Sequence, residues 1–335
     1  MHKNFQSSVL RSLVLTCLFA FTAAATQLFQ PAGTNHQARA PFAKKVGRYL
    51  LQSNAWVNLH QRLLHEARFN TGPPAALSGD DLANWKLAVE SYRVFLGKRS
   101  PIFDDELIQL NAALSKADVS RLPDNIPVTA AKALQTTMPL YKRAQWEQDD
   151  RANQFWIAMA EPLLTSAGEE LAEAHAKVYA TPFPKRIVVD VSTFGWEFSA
   201  YTVGEGEYAH SVISSVSPDY QGFAALEFLM HEPSHAIVGP ASGAIGGDLN
   251  RIAGELGVKP RHNLWHAILF YTSGELTRQA LQKRGVPNYR PFIAGMYERG
   301  FRGFQKPLET HWQAYLDGKV AREAALRQIL IETTG

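Results

Sequence analysis

Two histidines one helical turn apart, with a glutamate between them, are the residues in this chain best suited to chemistry. They are His231, Glu232 and His235, inside Leu226–Ile237. On a helix, positions i and i+4 share a face, so both imidazoles can grip one metal ion. The glutamate after the first histidine can reach a water on that ion. The chemistry this predicts is hydrolysis. Neutral His231 and His235 bind zinc, a third protein ligand leaves one position open to water, and Glu232 takes the water's proton and later passes it to the leaving amine.

A second helix must carry the third ligand. The stretch Arg261–Leu276 reads as a strong helix and offers His262, His266 and Glu275. His266 and Glu275 are nine residues apart, about 180° around a regular helix and about 13.5 Å along it, so both cannot bind one ion. If this helix packs antiparallel to the first, the metal's level falls near His266. Glu275 remains the alternative, with Arg278 as its partner if it is not a ligand. Pro233 interrupts the pattern, since a proline inside a helix removes a hydrogen bond and costs about 3 kcal/mol. Either the helix is kinked there, or the geometry of the site makes the cost tolerable. Glu227, one turn before His231, is a candidate for orienting an imidazole, and Tyr271, Tyr201 and His262 are candidate oxyanion donors.

The rest of the chain supplies the scaffold. Lys185–Val191 is rich in β-branched residues and reads as a strand, with further strands expected at Phe194–Val203 and His210–Val216. His210–Val216 is the candidate edge strand for aligning an extended peptide. A Gly- and Ala-rich loop is expected from Gly239 to Pro260. The first 180 residues read as mostly helical, with helices from Val46 through Leu64, over Leu82–Phe95, over about Asp104–Lys116, and over about Lys142–Tyr179 with a break near Pro162. A last helix covers about Val320–Ile331. The fold class is therefore α+β and mostly α-helical. An N-terminal helical region (45–180) precedes a catalytic region (181–335), in which a small sheet packs on a two-helix zinc-site core. The two regions are expected to pack as one unit.

Residues 1–25 have the form of a secretory signal, with Lys3 and Arg11 before the apolar run Leu13–Ala25. Residues 26–44 read as a flexible arm. Cys17, the only cysteine, lies in the apolar run, so a metal site must use histidine and carboxylates. The expectation is an exported protein, periplasmic or secreted, with no membrane span once the signal is removed. With 46% hydrophobic residues the chain can bury a sizeable core, and a formal charge of +3 gives no footprint for nucleic acid. The expected partner is a peptide or protein substrate, and the expected cofactor is Zn2+.

Several stretches together resemble a group of exported bacterial proteins of unassigned function. They are Ile213-Ser214-Ser215, Ala225-Leu226-Glu227, His231-Glu232-Pro233-Ser234-His235 and Leu264–Glu275, with Trp312 and Tyr315-Leu316-Asp317-Gly318. That group is similar to zinc metallopeptidases of the gluzincin-like, thermolysin-related class. The resemblance covers about residues 140–320 and implies a zinc-dependent hydrolase without naming a substrate. Glutamate-ligand zinc peptidases often carry a Gly-Glu pair on the second helix, as Gly274-Glu275 does here. The Asn-Glu-x-x-Ser-Asp signature of thermolysin is absent, so the ligand does not carry over from it. The alternatives to a peptidase are another zinc-dependent hydrolase and a non-catalytic envelope or binding protein that keeps a metal site.

Overall fold

The computed structural model describes residues 42–118, 120–241 and 243–334. The leader-like stretch 1–25 and most of the expected arm lie outside the described residues. The fold is α+β and mostly helical, built on one mixed five-stranded sheet.

The chain enters the sheet at once. Strands β1 (Phe42–Val46) and β2 (Tyr49–Ser53) form an antiparallel hairpin around Gly47-Arg48. Gly47 has φ +55°, the left-handed backbone that a two-residue hairpin turn needs. The helix expected from Val46 therefore begins only at Ala55, and residues 42–44 of the expected arm are strand. Tyr49 and Leu50 fit a helical spacing by coincidence; the glycine turn and the pairing with β1 decide for strand.

Five helical segments follow: α1 (Ala55–Phe69), α2 (Gly79–Leu96), α3 (Asp105–Ser115), α4 (Val128–Tyr141) and α5 (Glu147–Tyr179). A π-helical turn over Lys142–Trp146 joins α4 to α5. The expected break at Pro162 does not occur, and α5 runs through it. Its buried stripe of Trp156, Ile157, Ala160, Leu164, Ala167, Leu171 and Ala172 outweighs the one backbone bond a proline removes.

Then come β3 (Arg186–Ser192), β4 (Ala200–Glu205) and β5 (Tyr208–Ser214), giving the order β1-β2-β3-β5-β4. The pairs β2/β3 and β3/β5 are parallel, and β4/β5 is antiparallel. This corrects the choice of edge strand: β5 is interior, and β4 is the edge on this side. Phe194–Ser199 is a loop rather than the start of a strand. Because β2 pairs with β3, the regions 45–180 and 181–335 share one sheet.

Each face of the sheet buries its own apolar cluster. Val212 and Tyr201 pack with α1–α4, whereas Ile187, Val189, Ala209 and Ile213 pack with α5 and the C-terminal helices. Those helices are α6 (Ala224–Ser234), α7 (Gly243–Leu256), α8 (Leu264–Lys283), four short segments between Ile293 and Leu316, and a terminal helix over Arg322–Thr334. Helix α7 replaces the expected loop. Ile245, Leu249, Ile252 and Ala253 form its buried stripe, and one of its glycines, Gly246, serves packing. A Cβ on Gly246 would sit 1.9 Å from the Gly239 carbonyl oxygen. Among the described residues no helix is long and apolar enough to cross a membrane.

Candidate metal centre

Helix α6 ends one residue short of its second histidine. His235 follows Ser234 in helical backbone conformation, and the last turn tightens: His235 N donates to Glu232 O at 3.0 Å and Ala236 N to Pro233 O at 3.1 Å. Of the two expectations for Pro233, a kink is not what forms: the proline sits in the last turn, where the helix ends. Pro233 has no N–H to give the carbonyl four residues earlier, Leu229 O. That carbonyl instead accepts from the Tyr49 hydroxyl of β2 at 2.7 Å. A side chain from the far N-terminal strand thus satisfies the backbone beneath the face that carries the histidines.

Helix α8 runs antiparallel to α6, since His231 meets His266 while Glu227 lies against Gly274. A Cβ on Gly274 would lie 2.7 Å from Pro291 Cβ and 3.1 Å from Glu227 Oε1, so glycine permits this approach. The result is a convergence of His231, His235 and His266, with one ring nitrogen of each within 4.8 Å of the others. The Nε2 atoms of His231 and His266 are 3.3 Å apart. Two Zn–N bonds of about 2.0–2.1 Å at a tetrahedral angle separate their nitrogens by about 3.3–3.4 Å, so the spacing fits one ion.

Electrostatics favour the ligand form of all three rings. Burial pushes His231 well below the usual imidazole range, reinforced by His235 and His266, and it lowers His266 in the same way. Burial brings His235 down to about 4. Near neutral pH the three imidazoles are uncharged, as metal coordination requires. They are held by packing: His231 stacks on Phe270 at 3.8 Å, and His266 stacks on Trp265 at 4.9 Å. His231 Nδ1 is buried and has no hydrogen-bond partner among the described residues, so ring stacking fixes this imidazole where an acceptor commonly does.

Glu232 is buried, and desolvation raises its carboxyl to about 7, against the lowering effect of the hydroxyl of Thr202. Thr202 Oγ1 donates to Glu232 Oε2 at 2.7 Å, and Ser211 Oγ lies 2.8 Å from Thr202 Oγ1. Thr202 and Ser211 face each other directly across β4 and β5.

The remaining candidates lie elsewhere. Glu275 takes two bonds from Arg278, at 2.7 Å each, and one from Gln279 at 2.8 Å. It is not part of the histidine cluster. Glu227 does not orient an imidazole; it is fully buried, accepts from Tyr289 Oη at 2.5 Å and from the Phe292 backbone N–H at 3.2 Å, and so fastens the 289–292 segment to α6. Tyr271 donates to Gln313 Oε1. Tyr201 belongs to the opposite face of the sheet, where it accepts from Gln61. His262 is exposed. His60 is fully buried against Tyr92.

The sequence reading missed Thr202, Ser211, Phe270 and Tyr49. Thr202 and Ser211 left only a trace, as polar residues inside candidate strands. No family model, curated protein or solved structure matches the chain.

Proposed function

We propose that this chain is a zinc-dependent hydrolase, and that the bond it cleaves is a peptide bond. One observation carries the reading: three uncharged imidazoles from two helices converge, with ring nitrogens within 4.8 Å and one pair 3.3 Å apart, and the residue after His231 is a buried carboxylate near pKa 7. His231, His235 and His266 would hold the ion, leaving a position for water and substrate. Zinc there would supply Lewis-acid polarisation of the scissile carbonyl and a water acidic enough to be deprotonated near neutrality.

The chain's own residues do the rest. Glu232 accepts the water's proton and then delivers it to the leaving amine, a role suited to a carboxyl near pKa 7. Strand β4 has only β5 as a strand neighbour among the described residues and carries Thr202 against Glu232. An extended peptide adding to β4 would be aligned by main-chain bonds over the site. The exported location expected from residues 1–25 belongs to the same proposal.

The test is metal analysis paired with Glu232→Gln. The wild-type protein is expected to hold zinc in equimolar amount and to hydrolyse fluorescently labelled casein. Glu232→Gln should keep the zinc and lose about 10²- to 10⁴-fold in rate. Wild-type protein that binds no zinc, or a Glu232→Gln variant as active as wild type, rejects the reading.

A further inference from the structure

We infer that Thr202 is a positioning residue for Glu232, and that Ser211 sets the direction of its hydroxyl. This rests on the assignment of Glu232 as the base. Thr202 Oγ1, Ser211 Oγ and the Glu232 carboxylate form one buried chain, with contacts of 2.7 and 2.8 Å.

Its polarity follows from the donor count. An ionised carboxylate can only accept, so the single Thr202 hydroxyl proton points to Glu232 Oε2. The Ser211–Thr202 contact then needs its proton from Ser211, because the Thr202 proton is committed. The side chains are placed by the strands: Thr202 is β-branched and stiff at χ1, and Ser211 is its direct cross-strand partner.

The consequence is a carboxylate with two unlike oxygens. Oε2 is held by the Thr202 hydroxyl, which does not reach Oε1. A donor on Oε2 makes it the less basic oxygen, so the transferred proton lands on Oε1. In the forward step a water O–H bond breaks and Oε1–H forms. In the return step Oε1–H breaks and an amine N–H forms, leaving the carboxylate as it began. Held on one side, Glu232 keeps one rotamer through both transfers, which conserves the alignment that proton transfer requires. Tyr220 supports the same region: its hydroxyl donates to the carbonyl of Phe198, in the loop that leads into β4.

The test compares Thr202→Val, which keeps the shape and removes the hydroxyl, with Thr202→Ser, which keeps the hydroxyl. Zinc-loaded proteins are assayed on internally quenched peptides, and each variant is crystallised. Thr202→Val should lower kcat about 10- to 100-fold with KM and zinc content unchanged, and Thr202→Ser should recover to within about threefold of wild type. Ser211→Ala should lose less than Thr202→Val, because Thr202 can still donate. In Thr202→Val crystals Glu232 should occupy more than one rotamer. A Thr202→Val protein with wild-type kcat, or with Glu232 in its original single rotamer, overturns the inference. If the wild-type protein hydrolyses nothing, the hydrolase reading fails, and the rotamer comparison alone decides the positioning role.

Discussion

Replacing Tyr49 with phenylalanine removes one oxygen, and the structure says what that oxygen does. It satisfies Leu229 O, the carbonyl left without an N–H by Pro233. Both groups are buried, so the variant leaves an unpaired carbonyl in the core, which costs about 1–3 kcal/mol. The cost should depend on Pro233. Pro233→Ala restores a backbone N–H at the right place for Leu229 O, so Tyr49→Phe in that background should cost less than about 1 kcal/mol. The cycle therefore predicts a coupling of about 1–2 kcal/mol between residues 184 positions apart in sequence. Urea unfolding followed by tryptophan fluorescence, with metal chelated throughout so that ligand linkage is constant, measures all four corners. An equal cost of Tyr49→Phe in both backgrounds, within about 0.5 kcal/mol, would refute the repair of the proline gap by Tyr49.

Three further predictions address the site and its frame. Substituting alanine at His231, His235 or His266 should each abolish equimolar zinc, whereas Glu275→Ala should retain it, as read by elemental analysis of dialysed protein. Gly246→Ala should destabilise by about 3 kcal/mol or more, because its Cβ would meet the Gly239 carbonyl at 1.9 Å; a thermal midpoint equal to wild type would contradict the packing of α7. Acid should destabilise the metal-free fold through its buried neutral histidines. Burial holds His60 at about 3 and His175 at about 4, both below the unfolded value of 6.5. Below pH 6.5 the unfolded chain binds the extra protons, so stability falls as pH drops, by about 1.4 kcal/mol per unit for each histidine until its folded value is reached. Unfolding free energies from urea titrations at pH 6 to 4.5 for wild type and His175→Asn should differ in slope by that amount; parallel curves would reject a neutral buried His175.

What was legible in the sequence was local. The spacing of His231 and His235 states its geometry outright, and a ligand on the following helix can be weighed by rise and angle alone. That reasoning needs only the antiparallel packing of α6 and α8, which Gly274 permits. The misses share a different cause. Gly246 and Gly247 look like loop composition because helix propensity is a local quantity, whereas α7 exists through the fit of a glycine against Gly239. Tyr49 and Leu50 carry no mark of strand without β1 and β3 beside them. Pro233 was read as a defect because its remedy lies in β2. Thr202 was invisible as a partner of Glu232 because strand register and helix placement together create that contact.

The parallel pairing of β2 with β3 also constrains how this molecule can come into being. Leu50 lies against Val188 with the whole of α1–α5 in between, so the centre of the sheet closes a very long loop. Contacts of such sequence separation are made late and slowly, because the loop entropy must be overcome first. The three histidines all come from the last third of the chain, yet the carbonyl beneath them waits for Tyr49. A refolding chain in which α6 and α8 met before β2 reached β3 would have the turn bearing His235 unfinished, because Leu229 O would still lack the Tyr49 hydroxyl. If the three histidines hold a metal as proposed, tight binding in refolding experiments should appear with the closing of the sheet rather than with the formation of the helices.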